Sequence, residues 1–433
     1  MYCGYVTELH GLRKHSNADR LQCVEVFSNN VIVDLSYQEG QKVIFFPVDG
    51  QLDEVYADTN NLLRKKDEEG NNIGGYMDPD KRNIKAIKLR GEKSEGLVLP
   101  IETLAPYVDV SMLSVGDKIS TLNGTEICKK YIPKRNHHAN TSNHKSNKAK
   151  QKTQISFPLF KEHVDTEQLV YNQSAFKPGD KCTITLKCHG TSARTQFTQE
   201  IIQKNHWYNH LLRIKPKEIR EWKTVSGTRR VILTQFDDIS GYYGTNAFRK
   251  PYHDFFSNKL EKGECVYYEI VGYINENTPI MGSVSNSKLK DKEIKKLYGD
   301  TMEFSYGCEK GKNDIYVYRM TMTNEDGYVV EYPDWLMRHR CEQMGVKCVP
   351  LFEKFTFTTW EDLMERVEKY YDGPDPIGGT HIREGVVVRI ENREKFKAYK
   401  HKNFTFKLVS GLIAESVTDS DADNMSEDIL SEL

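Results

Sequence analysis

The 433-residue sequence lacks the features that mark several large protein classes. No apolar run approaches the ~20 residues that a membrane-spanning helix needs, so helical membrane spans are not predicted. The nine cysteines are scattered and no Cys-x-x-Cys pair occurs, which favours free thiols in a reducing compartment over a disulfide framework or a zinc site. The N-terminus lacks the charged and apolar regions of a secretory signal. We therefore expect an intracellular protein, cytoplasmic or nuclear, that does not act at a membrane.

Internal repeats, heptads and a P-loop lysine motif are also absent. Charges of one sign are missing from two stretches. Residues 127–161 contain no acidic residue, and residues 415–433 contain seven acidic residues and no basic one. The basic stretch could contact nucleic acid or form a solvated linker. The acidic segment is predicted to be disordered, because it has little apolar surface to bury.

Short strands separated by Gly, Asp and Asn are predicted for residues 1–130. Leu21–Phe27 and Asn30–Leu35 form a predicted hairpin. Further predicted strands are Lys42–Val48, Asn83–Leu89 and Gly96–Leu99. A small β-barrel is the economical arrangement of these strands, and an OB fold fits it.

The rest of the chain divides into three predicted parts. Residues 131–155 form a polar, basic linker, residues 156–412 form an α+β domain, and residues 413–433 form the acidic tail. Within the large domain, Leu211–Arg220 and Thr359–Tyr371 are predicted helices, the second one starting near Thr359.

The informative pattern lies in the large domain. Lys187 follows a strand-like run, glutamates Glu269 and Glu384 lie on later strand-like segments, and Lys400 and Lys402 close the series. Because side chains alternate along a strand, Lys400 and Lys402 point to the same face. The order of these residues predicts a nucleotidyltransferase.

Each residue type in this series suits the chemistry of nucleotidyl transfer. A lysine attacks the α-phosphorus only as the neutral amine, and deprotonating it at pH 7 costs about 4–5 kcal/mol from a reference pKa of about 10.4. Cations at Lys400 and Lys402 lower that cost and neutralise phosphate charge. Carboxylates suit ribose hydroxyls or the water shell of Mg²⁺. Gly190 allows a close approach of the backbone to a phosphate.

Five segments resemble the motifs of the covalent nucleotidyltransferase superfamily. They are Lys187–Thr191 (Lys-Cys-His-Gly-Thr), Tyr268–Gly272, Asp314–Tyr318, Glu384–Val387 and Lys400–Asn403. The histidine in Lys-x-His-Gly-Thr is similar to that of the ATP-dependent RNA ligases of the bacteriophage RNA ligase 2 type, whereas DNA ligases and capping enzymes usually have aspartate there. The resemblance implies a catalytic domain of mixed antiparallel sheets, of the ATP-grasp-like kind.

The resemblance also implies roles for individual residues. Lys187 would carry AMP, Glu269 would contact the ribose, and Glu384 would bind the metal ion and its waters, with Glu269 as a second metal candidate. Lys400 and Lys402 would hold the α-phosphate. Catalytic roles thus fall to Lys187, Lys400, Lys402 and His189, the histidine acting in a later step than lysine adenylylation.

Several further residues are implied by position in the motifs. Leu186 and Gly190 flank the nucleophile and are expected to bind ATP. Ile315 falls where the family often has an aromatic residue on the adenine face, and an alignment shifted by one would place Tyr316 there. The pair of arginines that would bind the 5′-phosphate end is Arg229 and Arg230.

Two N-terminal stretches resemble the tRNA-binding OB modules. They are His15–Leu21 and Lys88–Leu97, and the arrangement is similar to RNA ligases of the Deinococcus and Naegleria type, which carry an OB module before the catalytic domain. The alternative is a barrel that merely packs on its neighbour. After Lys402 the sequence offers too few residues for the C-terminal barrel of DNA ligases and capping enzymes.

We therefore expect an ATP-dependent RNA ligase that joins 3′-OH and 5′-phosphate ends through lysyl-AMP and AppRNA, in RNA repair or nick sealing. Its expected cofactors are ATP and Mg²⁺ or Mn²⁺, and its expected partners are RNA ends, with nicked duplex RNA or tRNA as candidates. Two alternatives stay open, namely a GTP-dependent capping-type transferase and a non-catalytic RNA-binding protein.

Overall fold

The computed structural model describes residues 2–70, 72–132, 153–204, 215, 217–236, 243–289 and 291–416. These residues form two compact units. The N-terminal unit contains the described residues up to 132 and also the helix Phe404–Ser416, and the second unit contains the described residues from 153 to 402. Antiparallel pairing predominates in both, with a few helices. The predicted α+β class is confirmed, whereas the predicted limits at residues 130, 155 and 412 stay predictions.

The strands of the N-terminal unit are short. In chain order they are β1 Gly4–Glu8, β2 Arg13–Lys14, β3 Leu21–Val26, β4 Asn29–Asp34, β5 Lys42–Phe46, β6 Gly50–Leu52, β7 Lys65–Lys66, β8 Asn72–Gly74, β9 Asn83–Ile84, β10 Ala86–Leu89, β11 Glu92–Glu95, β12 Leu97–Pro100, β13 Lys118–Ile119, β14 Thr121–Leu122, β15 Thr125–Glu126 and β16 Cys128–Lys130. The helix α1 spans Glu54–Thr59, and its N-cap Asp53 accepts hydrogen bonds from the first turn.

Pairing in this unit follows the alternation of apolar residues. The strands β3 and β4 form the predicted hairpin, and a further sheet has the order β12-β5-β1-β13. Along β4, Val31 and Val33 are buried while Asp34 is exposed. In the other sheet, Ile44 and Phe46 of β5 belong to a buried apolar core. The hairpin and the strand predictions are confirmed, and the OB assignment stays a prediction.

The two N-terminal stretches that carry the tRNA-binding resemblance contact each other. The Asn17 N–H donates to His15 Nδ1 at 3.0 Å, so the other ring nitrogen carries the hydrogen and donates to the Leu89 carbonyl at 3.2 Å. The Asn17 side-chain amide donates to the Arg90 carbonyl at 3.1 Å. These bonds hold the turn of the β10–β11 hairpin, which carries the exposed Lys88 and Arg90.

The last described helix belongs to the N-terminal unit, although it follows the final strand of the second unit in sequence. Within the N-terminal unit, Lys407 lies 3.4 Å from the Glu95 carboxylate, and the Lys93 ammonium lies 5.0 Å from the centre of the Phe404 ring. Phe406 and Val409 are buried. The chain therefore returns to the N-terminal unit directly after Lys402.

The second unit has longer strands. In chain order they are β17 Thr153–Ser156, β18 Glu167–Gln168, β19 Lys181–Leu186, β20 Thr191–Lys204, β21 Lys217–Gly227, β22 Ile232–Leu233, β23 Glu264–Asn275, β24 Thr278–Pro279, β25 Val284–Ser285, β26 Thr301–Met302, β27 Asn313–Thr323, β28 Val329–Glu331, β29 Leu351–Thr356, β30 Gly385–Ile390 and β31 Ala398–Lys402. Its helices are α2 Lys250–Ser257, α3 Asn286–Leu289, α4 Lys292–Tyr298, α5 Asp334–Met344 and α6 Trp360–Tyr370, and the helix Phe404–Ser416 is α7.

Two sheets dominate the second unit. The larger has the path β22-β21-β20-β23-β27-β28, and the smaller has the order β18-β31-β30-β19-β29. The smaller sheet packs one face into a core that includes Ile184, Val386 and Val388. The consecutive strands β19 and β20 belong to different sheets, so the short segment between them leads from one sheet to the other.

The helix prediction for Leu211–Arg220 is wrong where it can be compared. Residues 211–214 and 216 lie outside the described residues, and β21 begins at Lys217. The strand β21 pairs with β20 along its whole length, from Lys217 opposite Lys204 to Gly227 opposite Arg194. Long-range pairing therefore overrides the local helix propensity. The predicted helix near Thr359 is confirmed as α6, with the Thr359 hydroxyl accepting from Asp362 N–H at 3.2 Å.

Two predictions fall outside the described part of the chain. They are most of the basic linker, residues 131–155, and the acidic tail, residues 413–433, apart from the end of α7. Among the described helices, none combines the length and the apolar character that crossing a membrane requires.

Candidate active site

The segment between β19 and β20, residues 187–190, is the centre of the site. Leu186 ends β19 and is buried, and its N–H donates to the Pro350 carbonyl at 2.9 Å. The Lys187 N–H then donates to the Gly385 carbonyl at 3.0 Å. The predicted nucleophile is thus held beside the first residue of β30 in the smaller sheet, immediately before the chain enters the larger one.

One face of the smaller sheet carries the predicted lysines. Directly opposed residues in antiparallel strands share a face. Thr185 opposes Val387, which opposes Lys400, and Gly385 opposes Lys402. Lys187 continues the row of Thr185 by alternation. The opposite face contributes the core, so the lysines from two separate stretches of sequence, Lys187 from one and Lys400 and Lys402 from the other, lie on one surface.

Glu384 joins these lysines. Its carboxylate lies 2.9 Å from Lys187 Nζ through one oxygen and 3.2 Å from Lys402 Nζ through the other, and its side chain is 1% exposed. Burial acts to raise the pKa of Glu384, but the attraction of Lys187 and Lys402 prevails and holds it at about 2. Glu384 is therefore ionised at neutral pH and binds both ammonium groups.

This geometry differs from a purely cationic surround of Lys187. Lys402 lies nearby as expected, yet the carboxylate of Glu384 stands between the two lysines and attracts the charged form of Lys187. The expected cationic surround of Lys187 is thus interrupted by one carboxylate.

His189 lies beside the same carboxylate. Its Nδ1 is 3.8 Å from a Glu384 oxygen, and its ring contacts Phe304 edge-on at 5.1 Å. Burial lowers the pKa of His189 to about 4, and the neighbouring cations act in the same direction. The imidazole is therefore neutral near pH 7, and a neutral imidazole carries one N–H and one acceptor nitrogen.

Glu269 on β23 holds the other end of the segment. One carboxylate oxygen accepts the Gly190 N–H at 3.1 Å, and the other accepts the Ser192 hydroxyl at 3.1 Å. A Cβ on Gly190 would lie 2.3 Å from the Ile270 carbonyl oxygen. Gly190 is therefore required for contact between this segment and β23, independently of any phosphate.

The pairing of β23 with β27 separates the two candidates for the adenine face. Tyr316 opposes Glu269, whereas Ile315 opposes Ile270, so Tyr316 shares the face of Glu269 and Ile315 points to the other. A shift in register between Tyr267 and Tyr268 produces this arrangement. Without the bulge Ile315 would lie on the Glu269 face, as the motif alignment placed it.

Arg229 and Arg230 occupy the turn between β21 and β22. Arg229 is largely buried, and its Nε lies 2.7 Å from Asp165, while Arg230 is more exposed and lies 3.7 Å from the same carboxylate. Their predicted role at a 5′-phosphate end stays a prediction. An incoming phosphate would have to compete with Asp165 for Arg229.

The described side chains supply only part of the ligands that a divalent metal ion needs. Among the described residues, no group of three or more His, Cys, Asp or Glu side chains could hold a metal ion. Glu384 supplies one buried carboxylate beside Lys187, and both Glu269 oxygens already accept hydrogen bonds. This donor set fits Mg²⁺, which takes one or two carboxylates and completes its shell with water and substrate phosphates.

The fold of the chain is similar to that of solved RNA ligase structures. An apo variant of the Naegleria gruberi RNA ligase matches with a TM-score of 0.57 at 16% identity, over 94% of this chain and 97% of that one. A variant of that ligase with ATP and Mn matches with a TM-score of 0.57 at 16% identity, over 94% and 98%. The chain has the fold of an RNA ligase.

A third structure with this RNA ligase fold, the Naegleria gruberi RNA ligase with PPi, matches with a TM-score of 0.54 at 14% identity, over 96% of this chain and 99% of that one. No protein-family model matches the sequence, and no curated protein matches it. The similarity is therefore carried by the three-dimensional arrangement far more than by the sequence.

Two residues at the site were not found by the sequence reasoning. Ser192 binds Glu269, and the Tyr306 hydroxyl accepts the His189 N–H. Ser192 could have been found from alternation along its strand. Tyr306 lies in a loop, and no pattern in the sequence connects it with Lys187.

Proposed function

We propose that the protein is an ATP-dependent RNA ligase that joins 3′-OH and 5′-phosphate RNA ends. The observation that carries the proposal is the contact of Lys187 and Lys402 with the buried carboxylate of Glu384, at the junction of two sheets in an RNA ligase fold. A strand-end lysine of this kind, beside further cations, suits a covalent nucleotidyl intermediate.

In the first step Lys187 Nζ loses a proton and attacks the α-phosphorus of ATP. The Nζ–P bond forms, the bond from the α-phosphorus to the bridging oxygen breaks, and pyrophosphate leaves. Lys400 and Lys402 offset the negative charge that develops on the phosphates. Tyr316 stacks on the adenine, and Glu269 binds the ribose while it keeps Gly190 in place. Leu186 and Gly190 line the nucleotide on either side of Lys187.

Glu384 is the residue that would hold a divalent cation, with water and phosphate oxygens completing the shell. When bound there, Mg²⁺ or Mn²⁺ would neutralise phosphate charge and compete with the ammonium of Lys187 for Glu384. The lysine freed in this way gives up its proton more easily.

In the later steps the 5′-phosphate of RNA attacks lysyl-AMP to give AppRNA, and a 3′-OH then displaces AMP. The neutral imidazole of His189 donates a hydrogen bond to a phosphate oxygen during these steps, which an ionised aspartate at that position could not do. Arg229 and Arg230 are candidates for the 5′-phosphate. Broken tRNA and nicked duplex RNA are the candidate substrates in RNA repair.

The proposal is tested by incubating the protein with α-labelled ATP or GTP and Mg²⁺, followed by denaturing gel analysis. We expect label from ATP on the wild type and none on Lys187→Ala. Lys187→Arg should also fail, because a guanidinium is not deprotonated in proteins. Lys181→Ala is the matched control, since Lys181 is an exposed lysine at the start of β19, the strand that precedes Lys187. It should label normally.

The other outcomes distinguish the alternatives. Labelling by GTP instead of ATP would favour a capping-type transferase, and no labelling with retained RNA binding would favour a non-catalytic RNA-binding protein. His189→Ala should still form lysyl-AMP but join a 5′-phosphate nick slowly. A pre-adenylylated nick separates the last step from the one before it.

A further inference from the structure

The segment 187–190 is fixed by backbone hydrogen bonds to three separate elements. The Lys187 N–H donates to the Gly385 carbonyl, and the Gly190 N–H donates to the Glu269 carboxylate. The His189 N–H between them donates to the hydroxyl of Tyr306. The first two acceptors belong to strands or motifs that the sequence predicts, whereas Tyr306 belongs to an irregular loop.

Tyr306 adopts a backbone conformation that a tyrosine rarely takes. It has a φ of +55° and is followed by Gly307 at +75°, in a turn closed by the Cys308 N–H and the Ser305 carbonyl at 2.9 Å. Asn, Asp or Gly is preferred where both central residues of a turn have positive φ. A bulky residue persists there only when its surroundings enforce it. The backbone of this turn does not favour tyrosine, so the contacts of the Tyr306 side chain are what stabilise tyrosine at this position.

A second loop, residues 373–383, packs against Tyr306 and the glycine that follows it. The Tyr306 ring contacts the buried His381 ring edge-on, with 4.4 Å between the ring centres. The two loops touch through glycines, since a Cβ on Gly378 would lie 2.5 Å from the Gly307 nitrogen. This second loop leads directly into Glu384. Tyr306 therefore packs between the segment 187–190 and the loop that leads to Glu384.

Phe304 completes these contacts. Its ring lies 5.1 Å from the His189 ring and 5.0 Å from the His381 ring. His189 is thus held at its backbone by Tyr306 and at its side chain by Phe304, two residues away in the same loop. Lys187 is two residues before His189, so a shift of the His189 amide moves the nucleophile.

We propose that Tyr306 is a positioning residue for the nucleophile segment, and that its hydroxyl keeps Lys187 in line with the α-phosphorus during lysyl-AMP formation. This inference rests on the proposed ligase function. Because Tyr306 contacts a backbone amide of the protein, losing its hydroxyl affects the rate of the chemical step and leaves nucleotide affinity unchanged.

The test is single-turnover lysyl-AMP formation by the full chain over a range of ATP concentrations. Tyr306→Phe keeps the ring and removes only the oxygen. We expect its maximal rate to fall ~10- to 100-fold, the size of effect that a small misplacement of reacting groups produces, with the half-saturating ATP concentration unchanged. Amide hydrogen exchange of the peptide containing His189 should be faster than in the wild type, without ATP present.

Tyr332→Phe is the matched control. Tyr332 is a partly buried tyrosine of the second unit, and its hydroxyl donates to Glu264 at 3.1 Å, at the start of β23 and outside the loop that carries Tyr306. It should lose a comparable amount of thermal stability while keeping the wild-type maximal rate.

The inference is overturned by a wild-type maximal rate in Tyr306→Phe, by an equal fall of that rate in Tyr332→Phe, or by a change in the half-saturating ATP concentration alone. Loss of near-UV circular dichroism in Tyr306→Phe at the assay temperature would also overturn it, since Tyr306 would then serve the fold as a whole. Absence of lysyl-AMP in the wild type would instead reject the proposed function.

Discussion

Single residues at this site have more than one task. Glu384 is the metal ligand in the proposed mechanism, and its carboxylate also contacts Lys187 and Lys402. Glu269 is the proposed ribose contact, and it also holds Gly190 and Ser192. A substitution at either glutamate therefore removes a substrate contact and a structural contact together. Their variants cannot separate binding from positioning.

Tyr316 and Ile315 allow a cleaner separation at the residue scale. Tyr316 shares the face of Glu269, and stacking of a base on an aromatic ring contributes about 1–3 kcal/mol. Tyr316→Leu should therefore raise the half-saturating ATP concentration in lysyl-AMP formation, with a smaller effect on the maximal rate. Single-turnover labelling over a range of ATP concentrations measures both quantities.

Ile315→Val is the control for this prediction. Ile315 is buried on the opposite face, so the change should lower stability by about 0.5–1.5 kcal/mol and leave the dependence on ATP unaltered. If Ile315→Val changed the half-saturating ATP concentration and Tyr316→Leu did not, Ile315 would be the residue that contacts the adenine.

At the scale of elements, the loop 373–383 carries an unusual buried acid. Asp375 is 2% exposed, and burial raises its pKa to about 7 although one oxygen accepts the Ile377 N–H at 2.7 Å. The other oxygen has no hydrogen-bond partner among the described residues. A raised folded-state pKa means that the contribution of Asp375 to stability is present below its unfolded value and is lost as pH rises through about 7.

Asp375→Asn should therefore stabilise the protein more at pH 8 than at pH 5, by about 3 kcal/mol, because about two pH units separate pH 5 from the folded-state pKa of about 7. Burial lowers the pKa values of His189 and His381 to about 4. Their protonation in the unfolded chain therefore lowers the stability of the folded protein as pH falls below about 6.5. This effect is the same in the wild type and in Asp375→Asn, so it cancels when the two are compared. Urea unfolding at several pH values measures the difference between variant and wild type. A difference that does not change with pH would mean that Asp375 has an ordinary pKa.

At the scale of the whole molecule, the helix α7 ties the end of the chain to the N-terminal unit. Deleting residues 1–130 would remove the surface against which α7 packs, so a loss of activity in such a deletion would not identify an RNA contact. Substitution of exposed residues is the better experiment. The β10–β11 hairpin offers Lys88 and Arg90, held by the contacts of His15 and Asn17.

Lys88→Ala with Arg90→Ala should weaken RNA joining at limiting RNA and leave lysyl-AMP formation unchanged, because cations that contact phosphates add sequence-independent affinity. The salt dependence of RNA binding should decrease as well. Lys65→Ala with Lys66→Ala removes the same charge from β7 in the same unit and is the control. If both double variants weakened RNA binding equally, the effect would come from the overall charge of the protein, and the β10–β11 hairpin would not be an RNA contact.

Local patterns were enough to predict much of this protein. Alternating apolar residues predicted the β3–β4 hairpin, and a threonine cap predicted the start of α6. The motif residues Lys187, Glu384 and Lys402 were predicted as one site, and they are in contact. Such features depend on residues within a few positions of each other, or on a resemblance carried by short motifs.

Other features depend on contacts between distant segments, which no local pattern contains. The face of Tyr316 depends on one bulge in the pairing of β23 with β27, because a shift of one residue turns every later side chain to the other face. The strand β21 exists because β20 pairs with it. Tyr306 reaches His189 because two loops meet at glycines, and α7 joins the N-terminal unit because its apolar side chains are buried there.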